Sequence, residues 1–385
     1  MKKINVKIII FAKRIDGGTG TYVLQLHKLK KIFPPNSLHI VFVVLEAPSY
    51  RKISNRSFTF LRPPRYYSGS YWLSINNIVS FLSELFRFKR IVSKIQPDLI
   101  LGVDIHCNLI ISIIKLFFPI ESKVVLTTHI NLYSNIEKQA KSILKIFLKK
   151  LVGLFYNRAD ALVFVSKQLA ENCIDKFHLK RNLVFTIYNG IPLKQTIVSC
   201  NKNKRDNIIV NISRLVEQKD HLTLFRAFAV LQKRLPGVRL WVLSDGDKRK
   251  ELEACVKKLN IVKNVTFFGW VKDIYPLLKK SSIFVLSSKR EGFAIALLEA
   301  MSQGLPIIST DTPFGPSEIL DNGKYGVLVQ MKDPQAMAKA MYELLTNEKK
   351  YRYYSQKSLE RVKFFSLDKM LKAYKKVILN LINKQ

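Results

Sequence analysis

Residues 283–301 read IFVLSSKREGFAIALLEAM, with Ile283 as the first residue and Met301 as the last. The apolar run Ile283–Leu286 predicts a buried strand, and the apolar run that follows Gly292 predicts a helix. A polar loop joins the two. Strand, loop and helix in this order form the unit from which parallel α/β sheets are built, so this stretch predicts a doubly wound sheet.

Two carboxylates mark the start of this helix. Glu291 stands just before it, and Glu299 lies about two turns inside it among apolar neighbours. The first amides of a helix have no partner within the helix and carry a positive partial charge, so a diphosphate can bind there. A buried carboxylate needs hydrogen-bond donors, and ribose hydroxyls would serve Glu299. The alternative is structural, with one glutamate capping the helix and the other bonded to backbone.

The same alternation of short apolar runs and amphipathic stretches continues in both directions along the chain. A first series of strands precedes residue 195, and a second begins after the polar, basic stretch Lys194–Arg205, which is typical of a linker. The predicted strands are Val6–Phe11, Leu38–Leu45, Leu99–Val103, Lys123–Thr128, Ala161–Val165, Leu183–Ile187, Ile208–Ile212, Arg239–Leu243, Val265–Phe268, Ile283–Leu286, Pro306–Ser309 and Val327–Leu328.

The chain of 385 residues is therefore predicted to form two Rossmann-like, doubly wound α/β domains. Residues 1–195 form the first domain, residues 196–365 the second, and residues 366–385 a C-terminal helix that can cross back to the first. Such sheets bind ligands at the carboxyl ends of their strands, so we expect the domains to face each other across a binding cleft. In the first domain, Pro48–Arg90 is interpreted as a loop followed by a helix over Ile75–Ile95.

Arg214 and Lys219 lie in the loop between the predicted strand Ile208–Ile212 and the next helix. Two cations at the carboxyl end of a strand can neutralise a leaving diphosphate. The alternative is a pair of solvated surface charges, which a basic chain has in quantity.

Three other elements are weaker signals. The stretch Asp16-Gly-Gly-Thr-Gly20 lets backbone approach a ligand, but it matches no dinucleotide or P-loop fingerprint and is also typical of a tight turn. His129 and His106 end predicted strands, where a lone histidine is more often a packed residue. Asp245-Gly-Asp247 resembles a metal-binding pair but is interpreted as a turn and helix cap, so we expect no metal.

The composition is strongly basic, with a formal net charge of +36. Nucleic acid, an anionic membrane and a polyanionic substrate can each explain this charge, and so can a genome bias toward lysine. The four cysteines are scattered, which argues against zinc and disulfides and favours a reducing, cytoplasmic compartment. No apolar stretch reaches the roughly 18 residues of a spanning helix. The run Ile8–Ala12 is too short for a signal peptide and is interpreted as a strand.

The segment Lys138–Arg158 predicts a basic helix. Its apolar side chains cover more surface than a core-facing stripe needs, and one face carries the lysines Lys138, Lys141, Lys145 and Lys149. Such a helix can lie in the headgroup layer of an anionic membrane, here the inner face of the cytoplasmic membrane. The alternative is a buried domain helix with one solvated lysine stripe.

Several motifs, in this order along the chain, resemble the family-4 retaining glycosyltransferases (glycosyl transferases group 1). The likeness covers most of the chain and is strongest from Asn211 to Val329, and it implies the two-domain GT-B fold. The motifs are Gly17-Gly18, Thr127-Thr-His129, Val165-Ser166, Asn189-Gly190, Ser213-Arg214-Leu215 with Lys219, Glu291-x7-Glu299, Leu298–Pro306 and Pro316-Ser317-Glu318-Ile319.

The chain departs from the family pattern in three places. Ala294 stands where the family often has Gly or Pro, and Ser244 replaces the first Gly of a turn that ends at Gly246. The stretch Asp311–Glu318 is a variant of the usual glycine pair and resembles bacterial enzymes that build surface glycans.

The resemblance also implies roles. Arg214 and Lys219 hold the donor diphosphate, Glu299 binds the ribose, and Glu291 faces the transferred sugar. His129 lies near the sugar and acceptor and completes an expected catalytic set with Arg214, Lys219 and Glu291. No metal or other cofactor is required. The other implied donor-binding positions act through backbone, and they are Gly17, Gly18, Phe293, Ala294 and Ile295.

The expected function is transfer of a sugar, with retention, from a UDP- or GDP-sugar to a glycan or lipid-linked acceptor in bacterial surface polysaccharide or lipopolysaccharide biosynthesis. Charge develops on the diphosphate as the sugar becomes oxocarbenium-like, and preorganised cations and amides lower the barrier. Two alternatives stay open: a GT-B sugar-nucleotide epimerase, which needs extra carboxylates in the first domain, and a non-catalytic polyanion-binding protein. The chain has no recognised nucleic-acid module, so we expect no specific nucleic acid.

Overall fold

The structure is a computed structural model, and it describes residues 6–15, 17–46, 58–62, 75–139, 142–193 and 205–383. The chain divides into two units. One consists of Met1–Tyr188 together with Met370–Gln385, and the other of Asn189–Lys369. In both units the apolar runs form parallel strands and the amphipathic stretches form the helices that cover them, as the sequence predicts.

The strands of the first unit are β1 (Val6–Ala12), β2 (Leu38–Glu46), β3 (Phe58–Arg62), β4 (Leu99–Gly102), β5 (Lys123–Thr128), β6 (Ala161–Phe164) and β7 (Val184–Thr186). Among the described residues they form one parallel sheet in the order β3-β2-β1-β4-β5-β6-β7. Ile8, Ile9 and Ile10 are all buried although successive side chains of a strand point to opposite faces. Both faces of this sheet are therefore covered.

The helices of this unit up to residue 177 are α1 (Gly17–Leu26), α2 (Ile75–Ile95), α3 (Ile105–Phe117), α4 (Leu132–Gln139), α5 (Ser142–Tyr156) and α6 (Lys167–Phe177). Strands β4 to β7 follow one another across the sheet, so right-handed connections put α3, α5 and α6 on one face. Helix α3 packs between α2 and α5, which places α2 in the same layer. Within the part of the chain described, none of the helices combines the length and apolar character needed to cross a bilayer.

The strands of the second unit are β8 (Ile208–Ile212), β9 (Arg239–Leu243), β10 (Val265–Gly269), β11 (Ile283–Leu286), β12 (Ile307–Thr310) and β13 (Val327–Val329). They are parallel and ordered β10-β9-β8-β11-β12-β13. The helices are α7 (His221–Arg234), α8 (Arg249–Lys258), α9 (Tyr275–Lys280), α10 (Ile295–Ser302), α11 (Pro316–Ile319), α12 (Pro334–Thr346) and α13 (Glu348–Val362). One apolar core joins Leu240 and Val242 of the sheet to Phe228 of α7 and Met341 of α12.

The C-terminal helix α14 (Leu367–Ile382) contributes residues 370–382 to the first unit. The Tyr374 hydroxyl hydrogen-bonds to the Tyr22 hydroxyl at 2.5 Å, and both side chains are buried. Lys375 Nζ donates to the carbonyl oxygen of Ile32 at 2.5 Å. These contacts attach the end of the chain to α1 and to the segment that follows α1.

Two local predictions are wrong, while the helix over Ile75–Ile95 is confirmed. Phe58–Arg62 lies in a predicted loop, yet it pairs with β2 as an edge strand. An edge strand has one partner and needs little apolar alternation, so the pattern gave no signal. The predicted glycine turn is instead the first turn of α1, since Gly17–Gly20 are helical. A Cβ at Gly20 would lie 2.2 Å from the backbone of Ile15, which explains the glycine there.

Ser244 follows β9 in a backbone conformation that favours glycine. Its φ is +149°, it is buried, and it forms an isolated bridge to Gly269. A Cβ at Gly246, two residues later, would lie 2.5 Å from the carbonyl oxygen of Leu215. The turn therefore packs tightly against the loop after β8, and serine occupies a position where strain is expected.

We expect Ser244→Gly to stabilise the protein. The strain of a non-glycine residue in such a conformation costs the folded state on the order of 1–3 kcal/mol, and glycine removes this cost. Glycine also makes the unfolded chain more flexible, which offsets about 0.5–1 kcal/mol of that stabilisation. A net gain of about 1 kcal/mol raises the unfolding midpoint by about 2–4 °C in calorimetry of the full chain. Ser309→Gly, at a buried serine in the regular strand β12, is the control and should lower the midpoint. A fall in both variants contradicts the assignment of strain.

Candidate active site

Loops at the carboxyl edge of the second sheet carry the predicted donor-site residues, because parallel strands end at the same edge. The β8–α7 loop holds Lys219, and the β11–α10 loop holds Glu291. Ser287 Oγ donates to the carbonyl oxygen of Lys219 at 2.8 Å. The amide of Lys289 donates to the carbonyl oxygen of Gln218, also at 2.8 Å. These bonds hold the two loops side by side.

The end of β12 and the loop between β12 and α11 fix the β11–α10 loop from another side. Thr310 Oγ1 donates to the carbonyl oxygen of Ser288 at 2.6 Å. Gly315 has a φ of +83°, and a Cβ there would lie 3.2 Å from the Gly292 carbonyl oxygen and from Phe293 Cα. Glycine thus lets this loop pack directly against the backbone that leads into α10.

Lys219 and Glu291, which the family resemblance assigns to different parts of the donor, form an ion pair. Lys219 Nζ lies 2.5 Å from Glu291 Oε1, and the two side chains are 17% and 7% exposed. Ser288 Oγ donates to the same carboxylate oxygen at 2.6 Å. An unpaired charge at this depth is costly, so each partner depends on the other. The ammonium group is therefore held in place and partly neutralised.

Arg214 differs from Lys219 although both lie in the β8–α7 loop. Its side chain is exposed, and among the described residues no carboxylate pairs with its guanidinium group. The predicted pair of cations therefore consists of one lysine held by a glutamate and one arginine that is available to an anion.

His221, the first residue of α7, is buried beneath the same loop in a chain of hydrogen bonds. Asn211 Nδ2 donates to the carbonyl oxygen of Val285, and Ser213 Oγ donates to Asn211 Oδ1, both at 2.8 Å. Since Ser213 has used its proton, its oxygen accepts from His221 Nε2, 3.0 Å away. Burial, and after it the charge of Lys219, lowers the pKa of His221 to about 4. The ring is therefore neutral near pH 7.

Helix α10 begins without a side-chain cap. Its N-cap residue is Ala294, and Phe293, Ala294 and Ile295 are all buried. The positive end of the helix thus lacks the carboxylate or hydroxyl that usually occupies it, and it suits an anion. Glu299 lies in the second turn, where its carboxylate accepts no hydrogen bond from the described residues and burial raises its pKa to about 7.

His129 lies at the carboxyl edge of the first sheet, directly after β5. Its ring packs on Tyr22, with 4.3 Å between ring centres. Thr127 Oγ1 donates to the carbonyl oxygen of Gly102 at 2.8 Å, so its oxygen accepts from His129 Nε2 at 3.2 Å. Burial lowers the pKa of His129 to about 3. The ring is neutral, with Nδ1 as an acceptor. Gly17 begins α1 at the same edge, followed by Gly18.

Two of the weaker candidate residues, His106 and Asp245, have ordinary hydrogen-bond or ion-pair partners. His106 Nε2 lies 2.6 Å from Glu84 Oε2. Asp245 Oδ2 pairs with Arg249 at 3.1 Å, and its other oxygen accepts from the amide of Gly246, as expected for a turn. The predicted helix cap is wrong, because the N-cap residue of α8 is Lys248 and no side chain caps that helix. Across the described ranges, no group of three or more His, Cys, Asp or Glu residues is placed to hold a metal ion.

Two family models match the chain. One, described as Glycosyltransferase Family 4, matches residues 17–195, and the other, described as Glycosyl transferases group 1, matches residues 194–361. The chain belongs to the family-4 glycosyltransferases. The two models together extend from α1 to α13, so the family assignment includes sequence from both units.

Individual relatives agree with this family. An uncharacterized glycosyltransferase of Methanocaldococcus jannaschii is 28% identical over 77% of this chain and 83% of its own length. The N-acetylgalactosamine-N,N'-diacetylbacillosaminyl-diphospho-undecaprenol 4-alpha-N-acetylgalactosaminyltransferase of Campylobacter jejuni is 28% identical over 60% of this chain, and the match spans 63% of that enzyme. The structure of HepE from Anabaena in complex with UDP matches with a TM-score of 0.75 at 16% identity, over 97% of this chain and 100% of that one. This likeness shows the GT-B fold.

The sequence reasoning missed the residues that support Lys219 and Glu291 in this glycosyltransferase. Ser287 and Ser288 directly follow a buried strand, and small hydroxyl residues at such a point often bond to nearby backbone, so a signal was present. His221 gave no signal, because its role depends on burial and on Ser213, which only the folded loop brings within reach.

We expect Lys219 and Glu291 to be strongly coupled in stability. Lys219→Met leaves a buried carboxylate with only Ser288, and Glu291→Gln leaves an ammonium group without its counter-charge, so each should cost about 2–4 kcal/mol. The double variant should recover about 1–3 kcal/mol of the sum. Urea unfolding of the full chain, followed by fluorescence of Trp241 and Trp270 in the second unit, measures this cycle.

The control pair joins the same two loops at the surface. Lys289 Nζ lies 3.6 Å from Glu217 Oε1, and these side chains are 31% and 80% exposed. Lys289→Met and Glu217→Gln should show a coupling below about 0.5 kcal/mol. Equal coupling in the two pairs would mean that burial gives the Lys219–Glu291 pair no special strength.

Proposed function

We propose that this glycosyltransferase moves a sugar, with retention of anomeric configuration, from a UDP- or GDP-sugar to a glycan or lipid-linked acceptor in bacterial surface polysaccharide or lipopolysaccharide biosynthesis. The observation that carries the proposal is the uncapped N-terminus of α10 beside a loop with Arg214 and Lys219. Helix amides and adjoining cations suit a diphosphate. The HepE complex with UDP and the diphospho-undecaprenol in the Campylobacter enzyme's name support this class of donor and acceptor.

The reaction breaks the bond between the anomeric carbon and the donor's β-phosphate oxygen, and the electron pair leaves with the diphosphate. Arg214, Lys219 and the first amides of α10 stabilise the charge that develops there. The acceptor oxygen bonds to the anomeric carbon on the same face, and its proton passes to the departing phosphate oxygen. This scheme requires no covalent enzyme nucleophile.

The ion pair with Glu291 prepares Lys219 for this role. A catalytic cation contributes most when it is already positioned before charge develops, and the carboxylate holds Lys219 Nζ at 2.5 Å. Lys219 and Ser288 both bind Oε1 of Glu291. Its Oε2 is thus left to accept a hydroxyl of the transferred sugar.

The remaining candidate residues bind other parts of the substrates. Ribose hydroxyls donate to Glu299, whose carboxylate otherwise lacks donors. His129 Nδ1 accepts a hydroxyl of the sugar or acceptor, and the backbone of Gly17 and Gly18 approaches the donor phosphates. Because two cations and the α10 amides meet the leaving-group charge, we infer a reaction that needs no divalent metal. We place it in the cytoplasm, at the inner face of the membrane that carries lipid-linked acceptors.

We expect donor binding to depend on the ionisation of Glu299. A carboxylate accepts ribose hydroxyls better than a carboxylic acid does, and burial raises the pKa of Glu299 to about 7. Affinity for UDP should therefore fall about tenfold between pH 8 and pH 6 in calorimetric titrations. The Glu299→Gln variant measures the pH dependence that comes from the titration of UDP itself. It should lack the part of the pH dependence that comes from the ionisation of Glu299. An identical pH dependence in both proteins contradicts the ribose assignment.

The same raised pKa has a consequence for folding. The unfolded-state pKa is about 4.3, so the contribution of Glu299 to stability is present below about pH 4 and is lost as the pH rises through about 7.

We expect UDP- or GDP-sugar turnover that is stimulated by a bacterial lipid-linked glycan fraction and survives EDTA. Arg214→Ala should lower this turnover about 100-fold, because it removes a cation aimed at the developing charge. Nucleotide release from a panel of donors, with and without the acceptor fraction, measures it. Arg226→Ala, at an exposed arginine on α7, is the control and should stay within about twofold.

Three outcomes of this experiment would overturn parts of the proposal. Donor epimerisation without acceptor-dependent release indicates a sugar-nucleotide epimerase. Near-normal turnover in Arg214→Ala removes the proposed charge stabilisation. Loss of turnover in EDTA, restored by Mn²⁺, shows that a metal takes part.

A further inference from the structure

Helix α2 exposes an apolar row that its own packing does not need. Leu85, Phe88 and Val92 are buried and already supply the core-facing side of the helix. Another side of the helix carries large apolar residues at helical spacing. They are Val79, Leu82 and Phe86, whose exposed fractions are 61%, 46% and 56%.

Helix α5 shows the same excess. Phe155 and Tyr156 are buried, whereas Ile146 and Phe147 are each 60% exposed and Leu154 is 48% exposed. Ile146 and Leu154 are eight positions apart, which puts them on one row of the helix surface.

Helix α3 connects these two rows, because it packs between α2 and α5 in one layer. Its outer side carries the half-buried Leu109, Ile113 and Leu116, and Phe117 at its end is 68% exposed. The outward side of the layer thus carries exposed apolar side chains on α2 and α5 with half-buried ones on α3 between them, and soluble proteins rarely leave such a surface exposed without a partner. We call this outward surface of α2, α3 and α5 the apolar layer.

The charges on the apolar layer are basic. Arg90 and Lys94 continue the exposed side of α2, and Lys150 and Arg158 are exposed on and just after α5. Helix α2 contains one acid, the buried Glu84, and α5 contains none. Exposed apolar side chains next to exposed cations suit a surface that offers both hydrocarbon and negative charge.

The two lysines of the predicted stripe that the structure describes do share one face of α5, but both are paired with a carboxylate. Lys145 and Lys149 both turn to Glu137 of α4, with N–O distances of 3.0 and 2.6 Å. The side chain of Lys138, and Lys141 as a whole, lie outside the described residues. The exposed side of α5 is therefore the apolar side with Lys150, and not the stripe of paired lysines.

We propose that the apolar layer of α2, α3 and α5 docks on the headgroup region of an anionic bilayer. The apolar side chains enter the interface, and Arg90, Lys94, Lys150 and Arg158 bind lipid phosphates. Helices α2 and α5 end a few residues before the amino ends of β4 and β6, so their first halves lie toward the carboxyl edge of the first sheet, where His129 is found. Docking there brings the bilayer to the edge at which a lipid-linked acceptor is needed.

The inference rests on the proposed location at the membrane, but its test needs neither donor nor acceptor. The full chain is sedimented with vesicles of equal parts phosphatidylglycerol and phosphatidylcholine, or with phosphatidylcholine alone, at low salt. We expect binding to the anionic vesicles that weakens as salt rises to about 0.5 M. The variants Phe86→Ser with Phe147→Ser, and Lys150→Glu with Arg158→Glu, should each lower the vesicle partition coefficient about tenfold or more.

Matched controls separate this surface from bulk hydrophobicity and bulk charge. Tyr353→Ser removes an aromatic that is 49% exposed in the second unit, and Lys250→Glu with Lys257→Glu changes the net charge as much as the Lys150 and Arg158 pair does. Both controls should stay within about twofold of the wild type.

Several results would overturn the inference. One is equal recovery of the protein in the supernatant with both vesicle types. Another is a loss of vesicle binding in the control variants that equals the loss in the apolar-layer variants. Light scattering that shows a dimer dissociated by Phe86→Ser with Phe147→Ser would assign the surface to a second copy of the chain. Acceptor-stimulated nucleotide release tests the transfer reaction separately, so intact transfer without vesicle binding refutes the docking surface alone.

Discussion

The ion pair between Lys219 and Glu291 joins two loops whose residues lie 72 positions apart in the chain. Strands β8 and β11 are neighbours in the sheet, so their carboxyl ends bring the loops together, but strand pairing stops before either residue. The buried pair, with Ser288 as a third partner, sets the position of the ammonium group relative to α10. Because removing either charge leaves the other buried and unpaired, the geometry of the proposed donor site depends on this contact.

Much of the fold followed from the sequence, and the exceptions have physical causes. Parallel strands buried on both faces appear as continuous apolar runs, which is why the strands from Val6 to Val329 were recognised with small boundary errors. The strand Phe58–Arg62 lies at the edge of the sheet, where apolar alternation is less required, and was missed. In the candidate site, the sequence motifs single out Arg214, Lys219, Glu291 and Glu299, but they do not predict the pairing of Lys219 with Glu291, because that pairing requires the loops to be folded.

The apolar layer shows a similar limit of sequence patterns. Helix α3 is apolar on nearly all sides, and periodicity alone does not say which side meets the sheet. The structure buries Cys107, Ile110 and Ile114 and turns Leu109 and Ile113 outward between α2 and α5. An apolar helix of this length is too short to cross a bilayer, yet flanked by two amphipathic helices it can form part of an interfacial surface.

Each unit holds a neutral histidine near the carboxyl edge of its sheet. His221 and His129 each donate Nε2–H to the hydroxyl of a residue near the carboxyl end of a strand, Ser213 and Thr127. Burial keeps both rings uncharged near pH 7. A charged His221 would repel Lys219, whose charge already lowers the pKa of the ring, and would therefore disturb the buried ion pair between Lys219 and Glu291. Ser213 and Asn211 therefore fix a neutral tautomer of His221, and Lys219 and Arg214 are left as the cations of the candidate site in the second unit.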